Sequence, residues 1–231
     1  NMKKNYFFLT VLAFLWSIGN VSAQAGAYEF SATSGVYTPI VGGTDIDDIE
    51  VDSRLSNALP IGFTFNFDGT DYTQFKASSN GFISFNMTGT SNQTGNDLDG
   101  VAASSRPLIA PLWDDHAGSA AAGSKASYVV TGTAPNRVLT VEWLNWEWNY
   151  AGDTVISFQV KLYESTNNVL FVYEQGPNPV NNGPASIGLT GESSFLSLEN
   201  TGTFPSISTS TETSTLNTKF LIRTYPRLSP F

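Results

Sequence analysis

Apolar and polar residues alternate with a period of two in recurring runs after residue 23, where helical periodicity is nearly absent, which predicts β-strands rather than helices. Ile61, Phe63, Phe65 and Phe67 fall on one face of a single run, with Gly62, Thr64 and Asn66 on the other. Asp68-Gly69 follows as a hairpin turn and pairs this run with Tyr72 to Ala77. Asn80-Gly81 is a second turn signal, ahead of Phe82-Ile83-Ser84-Phe85. Residues 86–105, rich in Gly, Ser, Asn and Asp, predict a long loop, and 107–113 a short apolar strand. Small residues fill 117–126, read as a mobile stretch. Ser127 to Val130 is expected to pair with Arg137 to Tyr150. Thr154 to Glu164 turns Ile156, Phe158, Val160 and Leu162 inward, and Asn167-Asn168 returns the chain as Val169 to Tyr173. A Pro-, Asn- and Gly-rich loop at 175–184 precedes short strands at 185–190 and 194–198, and 206–218 is rich in Ser and Thr. Many short strands with frequent turn signals predict an all-β fold, an antiparallel β-sandwich of jelly-roll type.

The start of the chain breaks this pattern. Lys3-Lys4 precede the apolar run NYFFLTVLAFLWSIG, and Val21 and Ala23 are small residues at −3 and −1 of a cleavage site. This is the layout of a secretory signal peptide, read as a helix in 1–23 cut between Ala23 and Gln24. The run is short for a bilayer span of ~20 residues, and no Cys follows it for lipid attachment. Residues 24–231 then form one sandwich domain, secreted or held at the cell surface, without a membrane span.

Composition narrows the chemistry. The chain has no Cys, so neither disulfides nor thiolate metal sites are available. Its formal charge is −9, and loss of Lys3 and Lys4 with the signal makes it −11. An acidic surface repels phosphate backbones, which argues against nucleic acid as a partner.

Three stretches carry candidate chemistry. Trp113-Asp114-Asp115-His116 joins two carboxylates to the one His of the chain. Asp114 and Asp115 can offer hard oxygen ligands to Ca²⁺, or accept backbone N–H bonds in a turn. His116 lacks a Gly-x-Ser-x-Gly elbow to present a nucleophile beside it. The acidic run 45–52 reads as a solvated sheet edge, with a calcium loop as the alternative. Glu142-Trp143-Leu144-Asn145-Trp146-Glu147-Trp148-Asn149-Tyr150 is the most unusual segment. In a regular strand Val141 and Trp143 face one way, into the core. Trp146, Trp148 and Tyr150 then share the other face with Leu144, where exposed rings make a platform for a sugar; burial of Trp146 and Trp148 in the core is the equal alternative. Glu142 and Glu147 can be read as a glycosidase pair, but odd spacing sends them to opposite faces unless a bulge intervenes. Leu144 also stands where jelly-roll glucanases carry an Asp.

Three segments in order carry a family likeness. They are Leu59 to Tyr72 running on to Ser79-Asn80-Gly81-Phe82-Ile83-Ser84-Phe85, then Ile109-Ala110-Pro111-Leu112-Trp113-Asp114-Asp115, then Ile156 to Glu164 with Val169 to Tyr173. Over about residues 55–175 the chain resembles the nidogen-like extracellular domain, particularly versions in secreted and surface proteins of Bacteroidota. The resemblance implies a β-sandwich adhesion or matrix module without catalysis, often followed by a C-terminal sorting domain for type IX secretion.

The expected function is therefore a non-enzymatic binding or adhesion module for an extracellular glycan or protein. A secreted jelly-roll carbohydrate-active enzyme or glycan-binding domain is the alternative, and a self-associating subunit of a surface layer or filament is a third reading. A carboxylate pair in an open groove favours the enzyme; acids on open surface or on opposite faces exclude it.

Overall fold

The computed structural model describes residue 25 and residues 28–34, 36–89, 95–148, 155–175, 185–198 and 218–224. The signal segment 1–23, its cleavage point and Tyr150 lie outside them. Within them, strands dominate as the alternation predicts. β1 is Tyr28–Ser34, β2 Thr44–Asp45, β3 Leu59–Phe67, β4 Thr70–Ala77, β5 Ile83–Ser84, β6 Leu108–Trp113 and β7 Lys125–Thr131. β8 is Val138–Glu147, β9 Val155–Tyr163, β10 Val169–Gln175, β11 Ser186–Thr190, β12 Phe195–Ser197 and β13 Thr218–Thr224.

They form two antiparallel sheets that pack face to face. One has seven strands in the order β1-β13-β10-β9-β8-β7-β2, the other six in the order β12-β11-β6-β5-β4-β3. The Asp68-Gly69 hairpin forms as expected, with both residues at positive φ. The run from β7 to β10 is a meander of consecutive hairpins. β2 lies at a sheet edge, where its Asp45 pairs with Lys125 at 2.8 Å, so the acidic run does mark an edge.

The core between the sheets joins Ile61, Phe63, Phe65 and Phe67 of β3 to Leu139, Val141 and Trp143 of β8 and to Phe158, Val160 and Leu162 of β9. Each sheet is also covered on its outer face. On the six-stranded sheet, Phe82, Leu108, Ala110 and Trp113 pack beneath Leu98 and Val101. Both faces of β6 are thus buried, which explains why its sequence is apolar without alternation. On the seven-stranded sheet, Tyr37 covers Leu170 and Val172. The stretch 117–126 is only partly the loose segment its composition suggests. Ala117 is buried and bridges Glu147 through two backbone bonds, and Lys125 already begins β7.

Candidate functional site

Two of the candidate stretches, 113–116 and 142–150, meet at β8, and a bulge in that strand decides how; the acidic run stays at the β2 edge, with β7 between it and β8. Trp143 pairs with Phe158 and Trp146 with Ile156, so β8 carries one extra residue over this step. Asn145 absorbs it at φ 50°, a left-handed conformation that Asn tolerates better than most residues. Its N–H reaches the Ser157 hydroxyl at 3.0 Å.

The bulge corrects the regular-strand reading. Trp146 and Trp148 turn to the same face as Trp143, into the core, with exposures of 0% and 2%. They form no exposed platform for a sugar. Instead the three indoles project like the teeth of a comb towards the six-stranded sheet. Trp143 Nε1 donates to the Ser78 carbonyl at 2.9 Å and Trp146 Nε1 to the Ser79 carbonyl at 2.7 Å. Trp148 Nε1 donates to Asp114 Oδ2 at 2.8 Å. Trp143 also stacks on Phe158, their centroids 5.0 Å apart.

The acceptors belong to the turn between β4 and β5 and to the segment after β6. Ser79 and Arg54 exchange bonds, Ser79 N–H to the Arg54 carbonyl and Arg54 N–H to the Ser79 hydroxyl. The Asn80 carbonyl accepts Asp114 N–H, and its side-chain oxygen accepts His116 N–H. Gly81 sits at φ +79°, and a Cβ there would lie 1.9 Å from the Leu112 carbonyl oxygen, so only glycine fits. The Ser-Asn-Gly and Trp-Asp segments of the family likeness are therefore two walls of one inter-sheet lock.

Asp114 is buried, and burial raises its carboxyl pKa against the opposing bonds from Asp115 N–H and Trp148. Asp115 is less buried; burial and then the charge of Asp52 raise its pKa. His116 is fully buried, its ring edge-on to Trp148 at 5.3 Å, and neither ring nitrogen makes a hydrogen bond of good geometry. Burial pushes its pKa down to about 3. Asp114 and Asp115 were the metal candidates; among the described residues no three His, Cys, Asp or Glu side chains come together to hold an ion.

Glu142 lies on the outer face of β8 and is 1% exposed. Its Oε1 accepts from the Tyr37 hydroxyl at 2.7 Å and from Gln159 Nε2 at 2.5 Å. Ile40 N–H donates to both of its oxygens at 3.1 Å. Burial, and then the Glu142 charge, push the Tyr37 phenol pKa up. Because of the bulge, Glu147 returns to this outer face too, while its backbone pairs in the plane of the sheet with Ala117. Sequence reasoning missed Tyr37, Ser78 and Gln159. A lone carboxylate inside an apolar strand was the available signal for the first and last of these.

Fold and site together define an antiparallel β-sandwich whose sheets are locked by tryptophan. The chain belongs to the NIDO-related family, whose model matches residues 27–226, and it is a nidogen-like domain. No curated protein and no solved structure matches it. No helix among the described residues is long and apolar enough to cross a membrane.

Proposed function

We propose that the chain is a non-enzymatic binding or adhesion module that works outside the cell, on an extracellular glycan or protein. The observation that carries this reading is the state of Glu142. A glycosidase carboxylate must stand in a groove within reach of the scissile bond. Glu142 instead has both oxygens occupied by Tyr37, Ile40 and Gln159 beneath a covering segment. Asp114 is likewise engaged, by Trp148. Membership of a nidogen-like family and the signal-type N-terminus support the extracellular setting. With Trp146 and Trp148 in the core, the contact surface for a ligand falls to the loops and outer strands.

The test is to present the full chain to arrays of glycans and matrix proteins while assaying the same polysaccharides for release of reducing ends. Saturable binding without turnover is expected. Hydrolysis that disappears in a Glu142→Gln chain would overturn the proposal.

A further inference from the structure

β1 and β2 follow one another in sequence yet occupy opposite edges of the seven-stranded sheet. The chain between them crosses that sheet's outer face as a strap. Tyr37 rests on Leu170 and Val172 of β10. The Thr38 carbonyl accepts Gln159 Nε2 of β9 at 2.8 Å. Ile40 N–H reaches Glu142 of β8, and Thr44 pairs with Tyr128 of β7. From Tyr37 to Thr44 an extended chain reaches at most about 25 Å. The strand spacings from β10 to β2 add to about 19 Å, so the strap has little slack.

What lies beneath it is largely polar. Ser127, Thr140, Glu142, Ser157 and Gln159 are all buried on this face. Lifting the strap would return a carboxylate, an amide and hydroxyls to water, and would uncover only the small apolar patch around Tyr37. Opening the other face of the same strands would expose three tryptophans. Segments with few buried apolar contacts open first. Gly42, at φ +69° with open space around its Cα, supplies a hinge beside β2, and Val36 and Val41 already stand 71% and 91% exposed at the strap's ends.

We propose that residues 36–43 form a latch that opens as a unit while the sandwich stays folded, with the Glu142 carboxylate as the group that holds it shut. Hydrogen exchange on the full chain at neutral pH tests this, comparing peptides from 36–43 with peptides from β8 and β9. In the wild type the strap should exchange at least about tenfold faster than those strands. Glu142→Gln should quicken the strap by a further 10- to 100-fold or so, the loss expected for a bond to a charged acceptor, and leave β8 and β9 as they were. Tyr37→Phe should quicken it by about fivefold and serves as the readout if the Gln variant does not fold. Equal exchange of strap and strands in the wild type, no change in the variants, or an equal acceleration of β8 and β9 would each overturn the latch.

Discussion

The two faces of β8 present opposite solutions to burying polar atoms. On the inner face, Trp143, Trp146 and Trp148 bring donors, and the opposite sheet supplies two turn carbonyls and the Asp114 carboxylate. On the outer face, Glu142 brings an acceptor, and a single crossing segment supplies donors with Gln159. The three indole N–H groups and the Glu142 carboxylate are all paired, while the His116 ring nitrogens on the inner side and Gln159 Oε1 on the outer side make no hydrogen bond of good geometry. The two arrangements differ in what comes with them. The indoles carry large apolar rings into a closed interface, whereas the carboxylate carries almost no apolar surface and sits under one layer of chain. The inner face therefore holds the fold together, and the outer face holds a segment in place.

Mutations on the two faces should separate these roles. The largest effect is expected from Trp146→Ala, which removes a fully buried indole and leaves the Ser79 carbonyl unmet; about 3–5 kcal/mol of stability should go, read by denaturant unfolding. Glu142→Ala should cost about 2–3 kcal/mol through the unpaired Tyr37, Ile40 and Gln159 donors, with the near-ultraviolet signal of the tryptophans retained. Loss of that signal would mean that the faces are not separable.

His116 adds a pH dependence to the inner face. Its folded pKa lies near 3 and its ordinary value is 6.5, so between these the unfolded chain binds a proton that the folded chain refuses. Its contribution is intact above the ordinary value and falls as the pH drops towards 3. From pH 7 to 4.5 the loss should be about 2–3 kcal/mol. A His116→Leu chain should lack this part of the decline in a series of melts, and parallel curves would remove His116 as its source. The smallest effect is expected at the bulge: Asn145→Ala should cost about 1 kcal/mol for its positive φ, while Asn145→Gly should be close to neutral in the same unfolding experiment.

The central strands were legible because each has its own alternation and its own turn. Asp68-Gly69 and Asn167-Asn168 are local signals, and β3, β4, β9 and β10 follow from them. β1 and β13 were not, because β1 is a strand only through β13, and β13 only through β1 and β10, all distant in sequence. Tyr28 pairs with Thr224, and neither segment announces this over so long a separation. β2 is two residues long and has no period to read. At the site, Trp143 was legible as core, but Trp146 and Trp148 depended on a single extra residue that reverses every side chain after it. Asn145, a left-handed former in mid-strand, was the one hint. Glu142 was visible as an oddity, but its partner Tyr37 lies 105 positions away.

The pairing of β1 with β13 also bears on how such a module can be combined with others. Its entry and exit strands run side by side at one edge of one sheet. A unit whose ends leave together can be spliced into a loop of a host protein with little displacement of the flanking chain. Copies joined in series would hang beside the line of the polypeptide, like beads tied to a thread rather than strung on it, each presenting its far edge to the surroundings.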